Sequence, residues 1–263
     1  MGIFIYSRTL GVAVMAWGMI SFGHASDLAA ETLLSPSHVD LVKKSAEPFG
    51  VFAFRLYGGE LWEKWIGVQR TLADEIVQLA LCNGDRERCV SPAALRFLAI
   101  VDNAKAREGR ARLGEINRAI NLAIHPMSDL ARYGEIDVWS SPLLTFTTGT
   151  GDCEDYAIAK LVALNQAGIP PDDLRIVIMH ATIRGEHHAV AAARLDGRWL
   201  TLDNRRMAMV EDAQIRNYRP LYVIDQYGVM QYVDAPVLPV VHDWEPSAAL
   251  KLATKPGLIS TSN

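Results

Sequence analysis

The chain has 263 residues, half of them apolar, and a formal net charge of −4. This length can fill one sizeable hydrophobic core and does not by itself require a second domain. The mild acidity argues against nucleic acid as a partner, since nucleic-acid-binding domains carry clustered basic charge.

The N-terminal residues 1–25 have the pattern of a secretory signal peptide. Arg8 precedes the apolar run Leu10–Phe22, which the small residues Gly23 and Ala25 follow. A basic start, a short apolar stretch and a small-residue cleavage site are typical of exported proteins, and the run is short for a membrane-spanning helix. We therefore predict cleavage near Ala25 and a mature protein that is periplasmic or secreted. An uncleaved membrane anchor is the alternative.

The segment from about Ser37 to Arg132 is predicted to be mainly helical. Apolar residues recur at three- and four-residue spacing in TLADEIVQLAL, PAALRFLAIVDNAKAR and LGEINRAINLAI, which is typical of amphipathic helices. Cys82 and Cys89 enclose the polar loop NGDRER between the first two of these segments. In an oxidising compartment they can form a small local disulfide, although two unpaired thiols beside a turn would have the same sequence.

Cys153, the third cysteine, lies in the stretch TGTGDCEDYAIAK. The glycines predict a turn, and the segment after them predicts a helix that is apolar on nearly every side and ends at Gly168. The first turn of a helix favours a thiolate, whereas the neighbouring acids Asp152, Glu154 and Asp155 repel one. Helix capping or a cation must neutralise these acids. On these residues alone, a nucleophile and a buried structural cysteine both remain open.

From Leu174 onward the pattern changes to β-strands. The segments LRIVIM, HAVAAARL, RWLTL and PLYVID are short, apolar and bounded by turn residues, as strands are. The tail, residues 246–263, has no such pattern and is predicted to be loosely ordered. No linker separates the helical half from the strand half, so we predict one α+β domain over residues 26–245.

A hairpin in the strand half distinguishes two adjacent histidines. Asp196-Gly197 is a strong signal for a two-residue turn, which sets the register of the flanking strands. In that register Val190 faces Asp203, so His188 becomes a diagonal neighbour of Asp203, with α-carbons about 7–8 Å apart. His187 points to the opposite face. The hairpin thus predicts a His188–Asp203 pair, although a surface ion pair of little energetic value would have the same pattern.

The order of a helix with an N-terminal cysteine, a strand with histidine and a strand with aspartate resembles the transglutaminase-like cysteine peptidases. More narrowly, it resembles the LapG-like periplasmic proteases of bacteria, which cut biofilm adhesins. The resemblance is carried by WSSP (139–142), GTGDCEDYAIAK (149–160), LNQAGIP (164–170), HHAV (187–190) and LDN (202–204). It covers residues 136–228 well and the helical half loosely. It implies a papain/transglutaminase-like fold, in which a helical part and a central helix that begins at the nucleophilic cysteine pack on an antiparallel β-sheet.

The resemblance also implies the roles of the site residues. Cys153 would be the nucleophile, His188 the general base and then the general acid, and Asp203 the residue that orients the imidazole. Backbone N–H groups near Cys153 would hold the oxyanion. The LapG-like group is calcium-dependent through acids that flank the cysteine, and carboxylates suit this hard cation. The implied calcium ligands are Asp152, Glu154 and Asp155.

The function that the resemblance implies is that of a periplasmic cysteine endopeptidase acting through an acyl-enzyme. Its substrate would be a secreted or surface, adhesin-like protein, and an inner-membrane receptor would regulate it. Two alternatives share the same residues: a transglutaminase that transfers the acyl group to an amine, and a non-catalytic binding module of the same fold. The family pattern requires no disulfide, so the pair Cys82 and Cys89 points to a separate subgroup.

Overall fold

The computed structural model describes residues 45–233 of the chain. The predicted signal peptide, the predicted tail and both ends of the predicted domain lie outside the described residues. Between residues 45 and 233, no helix combines the length and the hydrophobicity needed to cross a bilayer.

Helices dominate the first half of the described chain, as the apolar spacing predicts. In chain order they are α1 (Glu60–Gly84), α2 (Pro92–Lys105), α3 (Gly109–Ala123), α4 (Asp129–Tyr133), α5 (Pro142–Thr148) and α6 (Cys153–Gln166). The start of α2 shows why the chain folds this way locally. The Ser91 side chain accepts a hydrogen bond from the backbone N–H of Ala94, and Pro92 occupies the first turn, where no N–H is required.

Strands make up most of the second half. They are β1 (Ala53–Arg55), β2 (His125–Pro126), β3 (Thr150–Gly151), β4 (Leu174–Ala181), β5 (Glu186–Leu195), β6 (Arg198–Leu202), β7 (Val210–Glu211), β8 (Tyr218–Asp225) and β9 (Gly228–Tyr232). Seven of them form one sheet in the order β1-β9-β8-β4-β5-β6-β7. Every neighbouring pair in this sheet is antiparallel, while β2 and β3 form a separate parallel pair. The predicted α+β fold with an antiparallel sheet is confirmed.

Strands β5 and β6 form the predicted hairpin in the predicted register. Leu195 pairs with Arg198, and the ladder continues to Ala191 opposite Leu202. The two turn residues, Asp196 and Gly197, have φ angles of 51° and 76°. A type I′ turn requires positive φ at both central positions, which Asp-Gly adopts at low cost.

Helix α6 packs against β5 and β4 near the middle of the sheet. It is buried on nearly all sides, as its uniformly apolar sequence predicts. Small side chains of both elements meet in one apolar cluster, to which α6 contributes Ala157, Ala159 and Ala163, and β5 contributes Ala189, Ala191 and Ala193. Because such a core is close-packed, it fixes the first turn of α6 relative to β5.

A disulfide joins Cys82, near the end of α1, to Cys89, which precedes α2. The predicted pairing of these two cysteines is therefore confirmed. Cys153 remains as the free cysteine.

Candidate active site

Cys153 is the first residue of α6, and two glycines shape the approach to it. Helix α5 ends at Thr148, and its C-cap Gly149 has the left-handed φ of 69°. At Gly151 an added Cβ would lie 2.9 Å from the Cβ of Asp155, so a side chain does not fit there. The GTGD pattern thus meets two separate backbone requirements, a left-handed residue and a close approach to the helix.

Asp152 occupies the N-cap position of α6, yet its side chain makes no capping hydrogen bond. Its Oδ1 atom is buried and has no hydrogen-bond partner among the described residues. The interpretation of Asp152 as a simple helix cap is therefore wrong. Asp152 leaves the N–H groups of the first turn unoccupied, and such groups favour an anion at this end of a helix.

His188 on β5 and Asp203, which follows β6, are hydrogen-bonded as the hairpin register predicts. His188 Nε2 lies 2.8 Å from Asp203 Oδ1, which also accepts the backbone N–H of Arg205 at 2.9 Å. Burial alone would raise the pKa of Asp203. The hydrogen bond and charge of His188, the Arg205 N–H and the charge of Lys160 together hold that pKa below its usual value. These groups therefore favour the ionised form of Asp203, which is hydrogen-bonded to the imidazole.

Cys153 and His188 border the same cleft. The backbone N–H of Ala189, next to His188, acts to lower the pKa of Cys153, so the thiol lies near the strand that carries the histidine. His188 Nδ1 is buried and has no hydrogen-bond partner within residues 45–233. The bond to Asp203 favours the tautomer protonated on Nε2, which makes Nδ1 the ring atom able to accept a proton.

An acidic cluster lies beside the cysteine. One carboxylate oxygen from each of Asp129, Asp152 and Glu154 lies within 4.8 Å of the others. Burial, with the added repulsion of neighbouring carboxylates, raises the pKa of Asp152 to about 7 and that of Glu154 to about 9. The Cys153 thiol donates to Glu154 Oε2 at 3.0 Å. Burial and the charge of Glu154 raise the pKa of this thiol, so its surroundings favour the protonated form.

The donor chemistry of this cluster fits a hard cation. Asp129 Oδ1 and Asp152 Oδ1 are both buried without a hydrogen-bond partner in the described part of the chain. Buried polar atoms are normally satisfied, and carboxylate oxygens are the ligands that calcium prefers. A cation held by these side chains would satisfy both atoms and reduce the repulsion among the acids.

This cluster differs from the predicted ligand set at one position. Asp155 lies outside the cluster, because its carboxylate accepts the Ser140 N–H at 2.8 Å and forms a buried ion pair with Arg132. Asp129 takes its place, a residue that sequence reasoning missed. Asp129 is the first residue of the short helix α4. An acid at this position is ordinarily explained by its favourable interaction with the helix dipole. Only the packing of α4 near the first turn of α6 brings it to the cluster.

The cleft above these residues has a volume of about 880 Å³. One wall comes from the segment between β1 and the first turn of α1, and the other from residues 128–139. Leu130 and Ile136 line the second wall and are 61% and 82% exposed. His187 also borders the cleft, with its ring centroid 5.7 Å from that of His180. An open groove with exposed apolar side chains, beside Cys153, is suited to an extended polypeptide.

Comparison with known proteins gives one family. The family model for bacterial transglutaminase-like cysteine proteinases (BTLCP) matches residues 74–230. Among solved structures, LapG of Legionella pneumophila is similar at 24% identity and a TM-score of 0.48, over 53% of this chain and 77% of that chain. Its calcium-bound form matches at 23% identity and 0.48, over 55% and 82% of the two chains.

A putative cysteine protease from Cytophaga hutchinsonii is similar at 16% identity and a TM-score of 0.34, over 56% of this chain and 55% of that chain. Among curated proteins, none matches the chain.

Proposed function

Because this chain belongs to the bacterial transglutaminase-like cysteine proteinases, we propose that it is a periplasmic endopeptidase that hydrolyses a secreted or surface protein. Cys153 is the nucleophile, His188 the general base and Asp203 the residue that orients it. The observation that carries the proposal is the hydrogen bond between His188 and Asp203 beside the cleft that Cys153 borders. The signal-peptide pattern supports the periplasmic location.

The reaction follows from the protonation states of these residues. His188 Nδ1 takes the thiol proton of Cys153, and the thiolate attacks the carbonyl carbon of the substrate. Backbone N–H groups at the start of α6 donate to the oxyanion, and Asp203 stabilises the imidazolium. His188 then gives its proton to the leaving amine as the C–N bond breaks. A water molecule, deprotonated by His188, hydrolyses the acyl-enzyme thioester and restores the thiol.

Calcium forms part of the proposal as the cation at the acidic cluster. Asp129, Asp152 and Glu154 are the residues that would hold it. When bound, it supplies positive charge beside a nucleophile that must become an anion. A calcium ion takes about 6–8 oxygen ligands, so groups beyond these three carboxylates must complete the site. For the related LapG of Legionella pneumophila, a calcium-bound structure has been solved.

The partners that we propose are proteins. The family implies a protein substrate, and the apolar wall with Leu130 and Ile136 suits an unfolded or extended segment of such a substrate. The resemblance to LapG-like proteases supports an adhesin-like surface protein as the substrate. It also supports an inner-membrane receptor that sequesters the protease.

One experiment tests the proposal against both alternatives. Wild-type protein and Cys153→Ala are incubated, with calcium, with bacterial surface proteins and a labelled primary amine. Hydrolysis without labelling supports the endopeptidase, whereas incorporation of the amine identifies acyl transfer. Binding without either reaction in the wild type identifies a binding module. Full activity in Cys153→Ala would exclude the cysteine mechanism. As a control, iodoacetamide should label Cys153 in preference to the disulfide-bonded cysteines.

A further inference from the structure

Lys160 is a buried lysine for which the reaction above has no role. It lies on α6 two turns after Cys153, within the otherwise apolar run AIAKLVAL. Its exposed fraction is 0%. Burial of an ammonium group is costly unless specific partners compensate it, so the groups around Lys160 indicate what it does.

The partners of Lys160 lie at the end of the strand that leads to the catalytic acid. Its Nζ atom donates to the carbonyl oxygen of Leu202 at 3.1 Å, and Leu202 is the last residue of β6. The ring of Tyr156 lies 5.8 Å from the ammonium. Asp203, the next residue after Leu202, is the charged group that favours the protonated form of Lys160.

A second side chain, that of Asn121, contacts the backbone of Asp203 on the other side of its α-carbon. Asn121 on α3 donates from Nδ2 to the carbonyl oxygen of Asp203 at 3.0 Å. The Leu202 and Asp203 carbonyls flank the α-carbon of Asp203, so α6 and α3 together fix its backbone. The carboxylate is thereby left to His188 and to the Arg205 N–H.

We propose that Lys160 is a positioning residue for the His188–Asp203 pair. It holds the backbone at Leu202, which places the Asp203 carboxylate, and its positive charge favours the ionised form of that carboxylate. Lys160 and Cys153 share one helix, so this contact also ties the nucleophile to the strand end that carries the acid. The inference rests on the proposed function, since the placement of Asp203 has a catalytic consequence only if His188 activates Cys153.

The first test is Lys160→Met, which removes the donor and the charge but keeps an unbranched side chain. We expect kcat to fall by about 10²-fold with KM nearly unchanged, because misplacing a catalytic group affects the chemical step rather than binding. Leu164→Ala is the matched control, since Leu164 is equally buried one turn further along α6. It should lower the melting temperature without changing kcat per folded molecule. Equal losses of kcat in both variants would overturn the proposal.

The pH profile separates the charge from the hydrogen bond. Lys160→Gln keeps an N–H donor but loses the charge, so kcat should recover in part relative to Lys160→Met. A positive charge lowers the pKa of Asp203, so its removal raises that pKa. The acid limb of kcat/KM should therefore move to higher pH in both variants. If the acid limb stayed at its wild-type pH in both variants and kcat were also unchanged, the proposal would be overturned.

Other groups around Asp203 are unchanged in these variants, so a shift of the limb reports the loss of Lys160. They are His188 from β5, the Arg205 N–H, Arg206 in the following loop, Asn121 from α3 and Tyr218 from β8.

A measurement on unaltered Lys160 covers the case in which its variants do not fold. In Cys153→Ala protein, NMR of the lysine side chains should give Lys160 a pKa of about 7, lowered by burial. Adding Asp203→Asn should lower this pKa further, because the anion that favours the ammonium is removed. An unchanged Lys160 pKa in this variant would overturn the proposal. Failure of the proposed function is a separate result, since it would show as full activity of Cys153→Ala.

Discussion

The proposed base and the proposed nucleophile of this site are built in different ways. His188 and Asp203 lie at the open end of one hairpin, whose two-residue turn sets the register and hence which side chains meet. Beside the nucleophile, the acidic cluster draws on α4, on the residue before α6 and on α6 itself. Asp152 and Glu154 are local to the start of α6, but no turn or periodicity links them to Asp129, so its distance to them depends on how α4 packs.

The two regions also differ in charge compensation. Asp203 is buried, yet its pKa is lowered, because His188 and Lys160 compensate its charge. Glu154 is buried as well, and its pKa is raised, because burial and Asp152 both oppose its ionisation. The base is therefore complete within the protein, whereas the nucleophile lies in a field that favours its protonated form. This difference is why the proposed function includes a cation at one region and not at the other.

Separate substitutions of the two adjacent histidines test the hairpin region, and one of them should have the largest effect of all. His188→Ala should lower kcat/KM by about 10⁴-fold, because the general base is lost while the fold remains. The adjacent His187→Ala is the matched control and should retain most of the activity. His187 borders the cleft, but its ring packs on His180, whereas His188 is the histidine that bonds to Asp203. Assays on purified protein with matched circular dichroism spectra would measure both. Loss of activity in His187→Ala alone would contradict the assignment of the base to His188.

Chelation is the corresponding test of the acidic region. EGTA should lower activity by about 100-fold or more, because the thiolate fraction falls about tenfold for each unit by which the thiol pKa rises. Added calcium should restore activity, and magnesium should not, since it demands a tighter octahedral geometry.

The double variant Asp152→Ala, Glu154→Ala serves as the control for chelation and should stay inactive in excess calcium. Undiminished proteolysis in EGTA would remove calcium from the proposed function.

The sequence predicted the site to the extent that its geometry is local. Turn chemistry and strand alternation suffice for His188 and Asp203, and the helix pattern suffices to place Cys153 at a helix start. Asp129 was not predictable in this way, because its distance to Glu154 is set by how α4 packs. Lys160 has a recognisable sequence signal, since a charged residue inside a helix that is apolar all round requires a buried partner.

Substitutions of Asp155 and Asp129 test which acids of this region bind calcium. Asp155→Asn breaks a buried ion pair with Arg132, and we expect a loss of about 3–5 kcal/mol in the free energy of unfolding. The calcium concentration for half-maximal activity should not change, because Asp155 lies outside the cluster. Asp129→Asn should instead raise that concentration. Thermal unfolding and calcium titrations would measure both, and equal shifts of the calcium requirement would return Asp155 to the ligand set.

The smallest expected effect lies away from both regions, at the disulfide between α1 and α2. Like the hairpin, this bridge is local, with a sequence separation of 7 between its cysteines, which is why sequence alone could predict it. A loop of this size should contribute about 2–3 kcal/mol by restricting the unfolded chain. The double variant Cys82→Ala, Cys89→Ala should lose that stability. It should keep the activity per folded molecule, because no described residue that lines the cleft comes from the segment between α1 and α2.

Peptide mapping of exported protein under non-reducing conditions should show the two cysteines joined. Recovery of both as free thiols would reject the pairing.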